Sequence, residues 1–202
     1  MKMYIDVMRH AHAEKIDGMD THHNWLRPLS AKGIEQAKAV RPFYKDSAEK
    51  ITTVFHSPAP RALCTAAIAI GENAHPLFVP VHSLWVQRDE THYGGEILWK
   101  AFDEYQYNIE EYHTDPKGIG ALEALQRFGK RTAREIREMN VRFTDGAIWI
   151  VAGHAVFSNF TAYHLAGAGT NAEKLLHIGF GEAARLRLTF VRDEYLGCQY
   201  FA

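Results

Sequence analysis

Apolar residues along this chain fall into short continuous runs separated by longer stretches in which they recur every three or four positions. The first run, Met3-Tyr4-Ile5-Asp6-Val7-Met8, has Ile5, Val7 and Met8 as its apolar content and reads as a buried strand. Residues 11–29 are polar, contain Asp17, Gly18, Asp20, Asn24 and Pro28, and read as a loop. Ser30 stands in the N-cap position before Ile34, Ala37, Val40 and Phe43, the spacing of an amphipathic helix. Ile51-Thr52-Thr53-Val54-Phe55 is a β-branched strand that stops at His56-Ser57-Pro58. A helix is predicted from Pro60-Arg61 through Ala62 to Ile70, and Leu77-Phe78-Val79-Pro80-Val81 suggests another strand.

Residues 85–118 break this alternation. They are rich in Trp, Tyr, Asp and Glu without a strand pattern, and predict an insertion or lid containing a helix. Leu122, Leu125, Phe128, Ile136 and Met139 mark a long helix over 119–140. Ala147-Ile148-Trp149-Ile150-Val151-Ala152 is nearly all apolar, as a central parallel strand buried on both faces requires, and it ends at Gly153-His154. A helix is predicted over about 156–167, and 175–191 and 195–201 read as strands or a hairpin near one sheet edge. The order β-α-β-α-β, insertion, α-β-α-β predicts a three-layer α/β/α sandwich with a mostly parallel central sheet. One domain over residues 1–202, with the insertion at about 85–118, accounts for the whole chain.

Composition narrows the function classes. The chain has 202 residues and a formal net charge of -1, which gives no electrostatic case for nucleic acid or membrane binding. The two cysteines, Cys64 and Cys198, do not form a disulfide framework, and Cys64 lies in an apolar helical pattern expected in the core. The first apolar run is too short for a signal peptide and meets Arg9 at once, and no run approaches the roughly 20 apolar residues of a membrane span. A cytoplasmic protein with reduced thiols is expected. His12, His22 and His23 lie close together, but no HExxH or Cys/His finger spacing accompanies them. They are expected to be solvated loop histidines, with no metal and no cofactor. Nothing in the pattern reports an oligomeric state.

Chemistry concentrates at strand ends. Arg9-His10 follows the first strand, Arg61 falls in the first turn of the helix after the second, and His154 follows the long central strand. In open α/β sheets ligands bind outside the carboxyl ends of the strands, so adjacent parallel strands would bring these four side chains together. Guanidinium groups offer a planar fork of donors to a phosphate, and an imidazole can serve as nucleophile or proton carrier. A helix N-terminus beside Arg61 would add free N–H groups for an anion.

Arg9-His10-Ala11 resembles the Arg-His-Gly signature of the histidine phosphatase superfamily, the phosphoglycerate mutase-like fold. Ser57-Pro58-Ala59-Pro60-Arg61-Ala62-Leu63-Cys64-Thr65-Ala66 is similar to its Ser-Pro-x-x-Arg-Ala-x-x-Thr-Ala block, and Gly153-His154 resembles its second Gly-His motif. The resemblance implies that His10 attacks phosphorus and forms a phosphohistidine. Arg9, Arg61 and His154 would then hold the phosphoryl oxygens. It also implies a general acid. Glu90-Thr91-His92-Tyr93-Gly94 is similar to the mutase branch's Glu-Arg-His-Tyr-Gly stretch, with Thr91 in place of Arg. Glu90 is therefore the expected proton donor, with Asp89 as the fallback and His92 and Tyr93 as pocket walls.

Ala11 replaces the signature's Gly, as the phosphohistidine phosphatase-like branch tolerates, and Arg27-Pro28-Leu29-Ser30-Ala31-Lys32-Gly33 matches a stretch frequent in that branch. Where the mutases usually carry a phosphate-binding Asn, this chain has Ala13, Glu14, Lys15 and Ile16. A phosphatase acting on a phosphorylated small molecule or phosphoprotein is therefore expected. A phosphoglycerate-type mutase and a non-catalytic module that binds a phospho-ligand are the alternatives. Specificity is expected in residues 11–29 and 85–118, with Arg27 able to read a second anionic group.

Overall fold

The computed structural model of the protein describes residues 1–19, 21–86, 95–105, 108–116, 118–139 and 144–202, without the side chains of residues 21 and 22. Its centre is a six-stranded sheet in the order β3-β2-β4-β1-β5-β6. These strands are β1 (Lys2–Arg9), β2 (Ile51–His56), β3 (Leu77–Pro80), β4 (Ile148–Gly153), β5 (Arg185–Val191) and β6 (Glu194–Phe201). The strands from β3 to β1 run parallel. At the other edge β5 lies antiparallel to β1 and β6 antiparallel to β5. The expected sandwich with a mostly parallel sheet is what forms.

Helices cover both faces. On one, α1 (Ala31–Tyr44) and α2 (Pro60–Ile70) bury Ala37, Val40, Ala62, Ala66 and Ile70 against Val54, Ile148 and Ile150. On the other, α5 (Gly118–Glu138) and α6 (Phe157–Leu165) bury Ala133, Ile136, Ala162 and Leu165 against Ile5, Phe55, Trp149 and Val151. Helices α3 (Gly95–Tyr105) and α4 (Ile109–Thr114) fall within residues 85–118 and pack Leu98, Tyr105, Ile109 and Tyr112 with Leu125 and Phe128 of α5 and Phe160 of α6.

The N-cap at Ser30 forms as predicted, its side chain accepting from Gly33 N–H. Asp6, fully buried inside β1, pairs in the sheet with Arg187 of β5, whose guanidinium donates to each of the two carboxylate oxygens at 2.7 Å. That cross-strand pair lets an acid sit in an otherwise apolar strand.

Three expectations fail. Cys64 is exposed, because Ala62, Thr65, Ala66 and Ala69 supply the buried face of α2. Ile34 is 37% exposed, since the inward face of α1 is set by Gly33, Ala37, Val40 and Tyr44. Residues 175–184 are not strand. A 3₁₀ turn, Thr170–His177, and a loop precede β5, because the sheet edge is already filled by the β5–β6 hairpin.

Candidate active site

Strands β1, β4 and β2 are neighbours, and their carboxyl ends are level: Arg9 pairs with Gly153, and His56 with Ala152. Hydrogen bonding continues one residue past the strands, from His10 N–H to Gly153 O at 3.0 Å and from Ser57 N–H to Ala152 O at 2.9 Å. The ladder therefore delivers His10, Ser57 and His154 to one edge of the sheet. The rings of His10 and His154 meet edge to face, with centroids 4.9 Å apart.

His10 is 8% exposed, and its Nδ1–H donates to the carbonyl of Ala11 at 2.7 Å. That bond puts the ring proton on Nδ1 and leaves Nε2 with a lone pair. Arg61 Nε–H points at this lone pair from 3.3 Å. Burial, then the charge of Arg61, pushes the imidazole down to about 3; the Ala11 carbonyl opposes the shift, and Arg9 and Arg27 add to it. The ring is thus neutral across the physiological range, the form a nitrogen nucleophile needs.

Arg61 lies in the first turn of α2, which Pro60 opens at a position where the missing N–H costs nothing. Its Nη1 donates to the carbonyls of Asn24 at 2.8 Å and Trp25 at 3.2 Å, so the 3₁₀ turn Thr21–Leu26 pins the guanidinium from above. Thr65, one helical turn on, donates from Oγ1 to Arg61 O at 2.6 Å and accepts from Ala11 N–H at 3.0 Å. This single hydroxyl ties the helix that carries Arg61 to the loop that carries His10.

His154 Nε2 is in hydrogen-bond contact with Ser57 Oγ at 2.9 Å, and Ser57 Oγ also accepts from Ala59 N–H at 3.2 Å. Burial, then Arg61, His10 and Arg9, holds His154 well below the ordinary histidine range. The turn after it is strained: Val156, a β-branched residue, has φ of 37°. Ser158 fixes this turn by donating to His154 O from its N–H at 3.0 Å and from Oγ at 2.6 Å.

A cavity of about 240 Å³ opens over these groups. His10, Arg61 and His154 form its floor, and Trp85, Trp99, Phe102 and Phe157 supply aromatic wall. Trp85 lies edge-on to His154, with ring centroids 4.8 Å apart, and 5.2 Å from Arg61 Cζ. Arg9 is buried and absent from the lining; its Nη1 donates to Phe180 O at 2.6 Å, and its charge acts on both histidines from behind. Arg27 does line the cavity, but its guanidinium donates to the carbonyls of Glu14 and Ala13 and to Asn24 Oδ1, stitching the 11–29 loop together. Glu90, Asp89, His92 and Tyr93 lie outside the described residues. Among the described residues, no group of three or more His, Cys, Asp or Glu side chains is placed to hold a metal ion.

A model of the histidine phosphatase superfamily, branch 1, matches residues 5–196. The chain belongs to this superfamily. No curated protein matches it. Solved structures with the same fold include the mycobacterial glucosyl-3-phosphoglycerate phosphatase, 13% identical over 99% of this chain and 97% of that one, with a TM-score of 0.64. The alpha-ribazole phosphatase from Shigella flexneri is 18% identical over 96% and 93%, with a TM-score of 0.56. A protein assigned as the phosphohistidine phosphatase SixA from Nakamurella multipartitia is 16% identical over 100% and 95%, with a TM-score of 0.54. These likenesses are of fold.

In this member of the superfamily the sequence motifs acquire physical reasons. Thr65 closes the second motif onto the first. Gly33 is required because a Cβ there would lie 2.0 Å from His12 O, so α1 can press against the His12 loop only without a side chain. His12, expected in solvent, is instead part of the cavity wall, its Nδ1 at 2.7 Å from Ser30 Oγ. Glu182 also lines the cavity, and no motif or periodicity in its surroundings, Gly181-Glu182-Ala183, marks it.

Proposed function

We propose that the protein is a metal-independent phosphatase that hydrolyses a phosphomonoester, or a phosphohistidine, through a covalent phosphohistidine on His10. The tautomer carries this reading: Nδ1–H is committed to Ala11 O, and the Nε2 lone pair faces a guanidinium where an anion would enter. An arriving phosphate accepts from Arg61 and takes that donor away from Nε2. The nitrogen then forms a bond to phosphorus as the bond from phosphorus to the leaving oxygen breaks. Arg61, His154 and, through its charge, Arg9 stabilise the phosphoryl oxygens.

The leaving oxygen takes a proton from a carboxyl, for which Glu90 is the candidate. Trp85 and Trp99, which bracket its segment in sequence, both line the cavity. Water then attacks phosphorus, the phosphorus–nitrogen bond breaks, the carboxylate takes the water's proton, and phosphate leaves. The cavity's size suits a small phosphorylated molecule. Neither nucleic acid nor membrane has a role here, and we place the enzyme in the cytoplasm. Among the described residues no helix is long and apolar enough to cross a membrane.

The test is acid-quenched trapping of labelled phosphate on the protein together with phosphate release from p-nitrophenyl phosphate. Wild type is expected to show both and His10→Ala neither. Equal turnover by the variant would sink the mechanism. Isomerisation of 3-phosphoglycerate without phosphate release would make the protein a mutase.

A further inference from the structure

The loop before β5 contains Ile178-Gly179-Phe180-Gly181-Glu182, and its Phe180 carbonyl accepts from Arg9 Nη1 at 2.6 Å. The loop is fixed on both sides of that carbonyl. Upstream, Asn159 Nδ2 donates to Ile178 O at 2.6 Å. Downstream, Ala184 N–H donates to Gly181 O and Arg9 N–H donates to Ala184 O, each at 3.1 Å. The Phe180 ring is buried in the core. None of these anchors touches the two peptide planes that flank Phe180. Each of those planes is bordered by a glycine, whose backbone turns more freely than that of any other residue.

Tyr200 of β6 sets both planes. Its hydroxyl donates to Gly179 O at 2.9 Å, in the plane before Phe180, and accepts from Gly181 N–H at 3.2 Å, in the plane after it. Its ring meets the Phe180 ring edge to face, with centroids 6.1 Å apart. The second bond matters most, because Gly181 N–H and Phe180 C=O belong to one peptide. No peptide among the described residues is cis, so in that rigid plane the N–H and the C=O point in opposite directions. Holding the N–H on Tyr200 therefore aims the carbonyl at Arg9. A hydrogen bond at each end also polarises the peptide, which strengthens the carbonyl as an acceptor. Tyr200 pairs in the sheet with Leu186, does not line the cavity, and lies beyond residues 5–196 that the superfamily model matches. The bonds that link it to the site run through the Phe180 carbonyl to Arg9, whose charge acts on both His10 and His154.

We propose that Tyr200 is a positioning residue for the phosphate site: its hydroxyl holds the Phe180–Gly181 peptide so that the carbonyl fixes the Arg9 guanidinium. This rests on the phosphatase reading above, in which Arg9 stabilises the phosphoryl oxygens. Tyr200→Phe keeps the ring and removes both bonds. They lie at the exposed surface, where water takes over the freed groups, so the denaturation midpoint is expected to change little. Turnover of p-nitrophenyl phosphate is expected to fall about tenfold or more in kcat/KM, since a small misplacement set up far from the reacting atoms is costly in catalysis. Orthovanadate affinity, read by tryptophan fluorescence, is expected to fall with it. A role confined to loop structure would weaken the site whatever stands at position 9, so the Arg9→Lys background decides. There is no guanidinium fork to aim there, and adding Tyr200→Phe is expected to cost less than about twofold. An equal loss in both backgrounds overturns the proposal, as does a Tyr200→Phe variant with wild-type kcat/KM. If wild type turns over no phosphomonoester, the phosphatase reading fails by itself, and NMR of the Arg9 side chain tests the positioning without it. The separate Nη–H signals expected of a held guanidinium should merge in Tyr200→Phe, and unchanged signals refute the proposal.

Discussion

Arg61 Nε–H donates to His10 Nε2 across 3.3 Å, so the lone pair that would attack phosphorus is covered, in the free protein, by the cation that would hold the phosphate. The same guanidinium is anchored at Nη1 by the carbonyls of Asn24 and Trp25, which fix its plane while an anion displaces the imidazole. Lysine at this position cannot keep both contacts, since it has a point charge and no fork. Arg61→Lys is expected to lower kcat/KM about 10²-fold to 10³-fold, the usual loss when one aligned donor to a developing charge is removed. Orthovanadate affinity should fall with it, because vanadate tests the same cradle without turnover. Retention of tight vanadate binding would show that Arg61 shields His10 and does not grip the phosphoryl group.

The buried histidines give the fold an acid limit. Burial and then Arg61 depress His10 to about 3, and burial and the same arginine depress His154 well below 6.5. In the unfolded chain both bind a proton near pH 6.5, whereas in the fold they resist it. Stability is therefore full above pH 6.5 and is lost as pH falls from 6.5 toward 3. Each histidine contributes a slope of up to about 1.4 kcal/mol per pH unit. Chemical denaturation at stepped pH should show this loss, and saturating phosphate should offset part of it. NMR of the His10 ring should show the Nδ1–H tautomer unchanged between pH 8 and 5. A midpoint near 6.5 would contradict the burial argument.

Thr65 connects two motifs through one oxygen, which accepts from Ala11 N–H and donates to Arg61 O. Thr65→Val keeps the shape and removes the hydroxyl. It leaves a buried N–H without its acceptor, at a cost of about 1–3 kcal/mol. Because the loop holding His10 is then free to shift, kcat should fall further than the stability loss explains. The ring tautomer seen by NMR should become mixed as the Ala11 carbonyl moves. Thr65→Ser, which restores the oxygen, should recover both.

The strands and most helices of this protein were legible because their signals are local. A β-branched run, Ser30 as a cap and Pro60 at a first helical turn each constrain the backbone without help from afar. The meeting of His10, Arg61 and His154 in one cavity was legible for a different reason, since parallel strands put their carboxyl ends on one edge whatever the loops do, whereas the Arg9 side chain turns back to Phe180 O and stays out of the lining. The cavity's outer wall was not. His12 turns inward because Ser30 and Gln36, well downstream, bind its ring and backbone, and Glu182 arrives from a loop nearly the whole chain away. Such placements depend on tertiary contacts that no spacing rule encodes. Cys64 shows the opposite error, since an apolar helix pattern does not say which face the smaller alanines will bury.

Asp6 and Arg187 make the last prediction, one about stability. The Asp6 carboxylate is fully buried, and Arg187 reaches it with two bonds of 2.7 Å while its own side chain is 20% exposed. Removing one partner strands the other: Arg187→Met leaves a carboxylate inside the sheet, at a cost of about 3 kcal/mol or more. Replacing both partners with apolar residues of similar volume, Asp6→Leu with Arg187→Met, removes this ion pair while the neighbouring buried Arg185 stays, and such replacements of a pair are often neutral or stabilising. The double variant should therefore be more stable than Arg187→Met alone, with a denaturation midpoint near that of wild type. A double variant as unstable as the single one would mean that the pair, and not the avoidance of an isolated charge, holds β1 to β5. Either way kcat per folded molecule should change little, because the pair lies three residues before Arg9 along β1, away from the carboxyl edge where the phosphate would bind.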